Sequence, residues 1–210
     1  GRITINKRYE GIESAVININ GGDISVTSSD DGLNASDGST PSLNINGGKV
    51  YVNASGDGLD SNGTMSISGG EVIVEGPTDN GNTALDFERT LTISGGTVYA
   101  FGSSGMLETP SSASNGCCIV TTFSTVNGNE SFTLKDSSGN IIMSYTPSKS
   151  YSAAIIYSQD IKSNTEYTIN AGSNSVSITT NEGVTSNAAN GGFGQGGRGG
   201  SQKGMMPDGS

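Results

Sequence analysis

The chain has 210 residues, 20 acidic against 10 basic side chains, a net charge of −10, and neither His nor Trp. Excess negative charge repels phosphate backbones and anionic lipid, so nucleic acid is excluded as a partner and cations are favoured. No run is long and apolar enough to span a membrane, and short, recurring Val, Ile and Thr runs fit a solenoid, whose coils each bury a thin stripe, better than disorder.

A repeat starts at once, since Gly1-Arg2-Ile3-Thr4-Ile5 matches Gly48-Lys49-Val50-Tyr51-Val52. Four segments then align: Ile17–Val26 (ININGGDISV), Leu43–Val52 (LNINGGKVYV), Met65–Val74 (MSISGGEVIV) and Leu91–Ala100 (LTISGGTVYA). Each reads as a period-2 strand, a Gly-Gly corner and a second period-2 strand. A third piece recurs as Glu10–Glu13 (EGIE), Asp31–Asn34 (DGLN), Asp57–Asp60 (DGLD) and Thr83–Asp86 (TALD). With the loops Ala35–Pro41 and Pro77–Asn82 set aside, the coil is about 22 residues with three short strands, a β-helix period. The predicted fold is all-β: a right-handed parallel β-helix of about five coils over residues 1–112. An antiparallel β module caps it over 113–183, and a Gly-rich tail covers 184–210.

Stacking turns sequence columns into ladders. Ile3, Ile24, Val50, Val72 and Val98 form one predicted inward column, and Ile5, Val26, Val52, Val74 and Ala100 a second. Ile12, Leu33, Leu59 and Leu85 form a third, and Ile19, Ile45, Ile67 and Ile93 a fourth. Outward, Arg2, Asp23, Lys49 and Glu71 alternate in sign and read as a structural ladder of ion pairs. Beside them Thr4, Ser25, Tyr51, Ile73 and Tyr99 make a column in which Tyr51, Ile73 and Tyr99 offer a flat platform for the C–H face of a sugar ring.

The third strand piece carries acid. Glu10, Asp31 and Asp57 share one register, and Glu13, Asn34, Asp60 and Asp86 another three residues on. Carboxylates stacked a strand spacing apart repel unless protonated or bridged by a cation. Oxygen-only donors suit Ca²⁺, with loop oxygens at Asp30, Asp37, Asp79 and Asn82 as further candidates.

Further along, Cys117 and Cys118 are adjacent, so a strand would place one thiol inside and one outside, or a vicinal disulfide would join them. Beyond them six alternating strands are expected at Cys118–Phe123, Ser131–Lys135, Asn140–Tyr145, Ala153–Tyr157, Glu166–Asn170 and Ser175–Thr179. A parallel solenoid leaves an unpaired strand edge at its end, which such a module would cover. At the other end the chain starts inside a repeat and without Met. The first coil is therefore expected either to follow upstream coils or to stack end to end on another copy, as a dimer or filament.

These residues resemble the clostridial extracellular carbohydrate-binding β-helix proteins, which are similar in fold to polysaccharide lyases. The resemblance rests on Glu10–Ser14, Ile17–Gly38, Gly56–Gly63 and Ile93–Met106 and extends over roughly residues 1 to 183. It implies an extracellular or cell-surface protein that binds plant cell-wall polysaccharide, cellulose and polygalacturonate among them, with calcium held by Asp31, Asp57, Asp60 and Asp86. Two other readings stay open. One is a self-associating surface scaffold. The other is a calcium-dependent pectate lyase, for which Lys7, Arg8 and Arg89 are the basic groups nearest the acidic ladder and no catalytic residue is assigned.

Overall fold

The computed structural model describes residues 1–188, and within them the chain is all-β with no helix. Three parallel sheets wrap the solenoid. Arg2–Arg8 begins the front sheet, which continues through residues 23–28, residues 49–54, Glu71–Glu75 and Thr97–Gly102. A side sheet stacks Ile12–Ser14, Leu33–Ala35, Leu59–Ser61 and Leu85–Phe87. The back sheet runs from residues 16–19 through residues 42–45, Thr64–Ile67 and Thr90–Ile93 to Ser112–Ala113.

The expected columns are in register: Ile24 faces Val50, which faces Val72 and then Val98, and Leu33 faces Leu59, which faces Leu85. A fifth inward column, Ile17, Leu43, Met65 and Leu91, was not singled out from the sequence. Most of these side chains are fully buried in one continuous core. The exceptions lie in the first coil, on which no described strand stacks: Ile3 is 48 % exposed, and Ile5 and Ile12 are partly buried. The number of coils comes out slightly below five. The last coil has front and back strands, but residues 103–111 replace its side strand by a loop.

The glycine corners are dictated by geometry. Gly22, Gly48, Gly70 and Gly96 have φ of 91°, 91°, 88° and 80°. A Cβ on Gly48 would lie 2.6 Å from the Gly22 carbonyl oxygen, so the backbones of successive coils approach too closely for a side chain.

The module beyond the solenoid splits into two parts. Tyr151–Ser158 pairs antiparallel with Thr97–Gly102 and closes the front-sheet edge, and Cys117–Val126 pairs antiparallel with Tyr151–Ser158. A separate four-stranded sheet, in spatial order Ile141–Tyr145, Phe132–Asp136, Glu166–Ala171 and Asn174–Thr179, packs a second core against them. This arrangement corrects the cysteine expectation. Cys118 enters the solenoid core and Cys117 the second core, so both are buried, and both are free thiols. They do face opposite ways, but the strand is covered on both sides.

Two boundaries also shift. Ser112–Ala113 still pairs in parallel within the back sheet, across the expected 112/113 division. Val184–Ser186, read as the start of the tail, is a strand parallel to residues 118–120; the rest of the tail from residue 189 lies outside the described residues.

Candidate functional site

Two surfaces are built by the repeat, one on the front sheet and one on the side sheet. On the front sheet, residues alternate inward and outward, so Arg2, Asp23, Lys49 and Glu71 line up on the outside, as do Thr4, Ser25, Tyr51 and Ile73. Together they line an open groove of 570 Å³. Arg2 pairs with Asp23 at 3.3 Å and Lys49 with Glu71 at 3.7 Å, leaving the groove wall close to neutral.

The platform is shorter than the sequence column implied. Tyr51 and Ile73 line the groove, but Tyr99 is half-buried with its ring centroid 5.6 Å from that of Tyr145. Phe101, outward in the same coil, stacks on Tyr145 at 5.7 Å. The four-stranded sheet therefore covers the outward face over the last coil, and the groove occupies the earlier ones.

Glu75 anchors that cover. Its side chain is buried, and it accepts hydrogen bonds from the Tyr145 hydroxyl at 2.7 Å, the Ser148 amide at 3.1 Å and the Ser148 hydroxyl. Lys149 donates to the Ala54 carbonyl at 2.5 Å. Burial and the Glu75 charge push the Tyr51 hydroxyl above the usual phenol range, because the Tyr51 tip reaches the same cluster. No sequence signal linked Glu75 to Tyr145, since 70 residues separate them.

The side sheet holds the acidic ladder. Asp31 accepts the Asp57 amide at 2.7 Å, and Asp57 accepts the Thr83 amide at 2.6 Å. Each carboxylate thus uses its Oδ1 to clip the next coil, and the Oδ2 of Asp31 accepts from Asn34. Asn34 donates to Glu10 at 3.2 Å and to Asp31 at 3.4 Å, whereas its side-chain oxygen is buried without a hydrogen-bond partner among the described residues. Glu13 accepts from Ser36 at 3.2 Å on the exposed margin. Asp86 lies in register with Asp60 and raises its affinity for a proton.

Burial, with the neighbouring carboxylates adding to it, pushes Asp57 and Asp60 up to about 7. Burial also raises Glu10 and Asp31. Glu108 was missed in the sequence and belongs here. It accepts the Phe87 amide at 3.2 Å, and burial followed by the Asp86 charge pushes it to about 7. Leu107-Glu108 repeats Leu85-Asp86 one coil on, and Leu107 packs on the solenoid core, so the repeated pair was the available signal.

Among the described residues, no three Asp, Glu, Cys or His side chains converge tightly enough to hold a metal by themselves. The ladder nevertheless fits a hard cation: it is all oxygen, its charges repel in a half-buried site, and Asn34 contributes an orphaned buried acceptor.

A stack of short coils presenting one neutral groove and one acidic ladder defines a repeat-built binding protein. A family model described as carbohydrate-binding domain-containing protein matches residues 1–197, so the chain belongs to that family, and carbohydrate binding is its function class. No curated protein and no solved structure matches the chain.

Proposed function

We propose that this chain is an extracellular, calcium-dependent module that binds plant cell-wall-type polysaccharide, of the cellulose or polygalacturonate class, without cleaving it. The observation that carries the reading is the front-sheet groove, where Tyr51 and Ile73 give an apolar floor beside the ladder of the Arg2–Asp23 and Lys49–Glu71 pairs. An extended sugar chain can lay the C–H faces of its rings on that floor while its hydroxyls meet the charged pairs at the rim. Family membership supports the ligand class.

Calcium would be held by Asp31, Asp57, Asp60 and Asp86 with the Asn34 oxygen, flanked by Glu10, Glu13 and Glu108. Bound there, it would supply charge neutralisation that lets the coils stack without protonating their carboxylates. Asp31 and Asp57 would remain tied to the following coil through their amide contacts, so the cation and the strand register support one another.

The test is a depletion assay on insoluble cellulose and on immobilised polygalacturonate, with excess Ca²⁺ or chelator. Tyr51→Ala and Ile73→Ala are expected to weaken retention roughly three- to ten-fold each, the worth of one ring contact. Ultraviolet absorbance from unsaturated uronates should stay flat. Retention unchanged in both variants would overturn the groove as the binding surface, and rising absorbance would overturn the non-catalytic reading.

A further inference from the structure

A second pocket, of 320 Å³, opens where the last solenoid coil meets the cap, touching neither the groove nor the acidic ladder. Ser103 and Ser104 come from the solenoid loop; Phe123, Ser124, Tyr151 and Ser152 come from the cap strands. Among the described residues, no charged one lines it.

Its hydroxyls are partly committed. The Ser104 amide donates to the Ser152 hydroxyl at 2.9 Å, and that hydroxyl donates to the Ser104 oxygen at 3.1 Å. The Ser104 proton is therefore left for an acceptor outside the pair. On the aromatic side, Phe123 and Tyr151 meet edge to face at 6.1 Å. Tyr151 is only 2 % exposed, and its hydroxyl has no hydrogen-bond partner among the described residues. A buried hydroxyl without a partner is destabilising and rare in a native fold. That oxygen is closed off from the pocket, so the hydroxyls an occupant can meet are those of the serines and threonines that line it.

We infer that this pocket takes one uncharged sugar ring, such as a terminal hexose or pentose unit. Serine hydroxyls from the solenoid loop and from the cap strands match the hydroxyl rim of the ring, and the half-buried Phe123 offers an apolar surface to its C–H face. Absence of a basic side chain in the lining disfavours a uronate, whose carboxylate would be buried unpaired. The volume sits at the small end of ligand sites, which fits a single ring rather than a polymer. This site is separate from the groove in place and in ligand, so the two stand independently.

The experiment is a titration of the whole chain with methyl β-glucopyranoside, methyl β-xylopyranoside and galacturonate, followed by backbone amide chemical shifts. A neutral glycoside is expected to move residues 103–105, 123–125 and 150–152, and galacturonate is not. Ser104→Ala should bind the glycoside about five-fold more weakly, having lost the free hydroxyl proton, and should melt close to the parent because the residue is exposed. Ser124→Trp, placed at an exposed lining position, should block binding. Neither variant should alter retention on polysaccharide, and Tyr51→Ala should leave the glycoside shifts intact. No shift with either glycoside, equal shifts with galacturonate, unchanged affinity in Ser104→Ala, or binding that survives Ser124→Trp would each overturn the assignment.

Discussion

At the scale of single residues, the side sheet is a set of carboxyls held where they cannot all ionise cheaply. Asp57, Asp60 and Glu108 are each pushed up to about 7, with burial the first cause. An unfolded chain would release these protons near pH ~4. The folded state therefore binds more protons between those values, and the stability present at low pH is lost as pH rises through about 7. In chelator, the melting temperature is expected to fall from about pH 5 to about pH 8, and added Ca²⁺ to raise it more at the higher pH, where it need not displace protons. A chelated melt that is flat across that range would show that the ladder is simply solvated. Asp60→Asn removes one repulsive charge from this set. It should raise the chelated melting temperature and shrink the calcium-induced rise, both read in the same scan.

At the scale of elements, each coil is too short to be stable by itself and borrows its core from its neighbours. Leu59 is fully buried between Leu33 and Leu85, so Leu59→Ala is expected to cost about 2–5 kcal/mol in urea unfolding. Gly48→Ala fails for another reason, combining a left-handed φ with a Cβ driven onto the coil below. A cost of about 1–3 kcal/mol from strain alone is expected, with a lowered urea midpoint. The back sheet adds polar ladders on its outer face. Asn44 donates to Asn18 at 3.0 Å and accepts from Ser66 at 2.7 Å, and Asn46 donates to Asn20 at 2.8 Å and accepts from Ser68 at 2.8 Å. These side chains pin the register from outside as the aliphatic columns do from inside.

At the scale of the whole molecule, the cap does more than cover an edge. Its two front-sheet strands extend the solenoid core through Cys118, Val120, Ile155 and Tyr157, and its separate sheet limits the groove to the early coils. Glu75→Ala removes the acceptor shared by Tyr145 and Ser148. Amide hydrogen exchange is expected to speed up selectively in residues 145–150, while the early coils keep their protection. Uniform acceleration would mean that solenoid and cap unfold as one unit. Tyr99→Ala separates packing from ligand binding: it should lower the melting temperature and leave glycan retention unchanged, because its ring packs under Tyr145 and away from the groove.

The sequence by itself determined the solenoid, because a repeated coil writes its core as a period. Inward letters, glycine corners and the acidic register could all be read by aligning the chain with itself. Every contact predicted that way joins residues one coil apart. The tertiary structure decided what the repeat does not encode: the pairing of Glu75 with Tyr145, the burial of both cysteines, the covering of Tyr99, and the pocket between Ser104 and Tyr151. These depend on where a non-repeating module docks on a repeating one. Such contacts join residues far apart along the chain, and no period marks them.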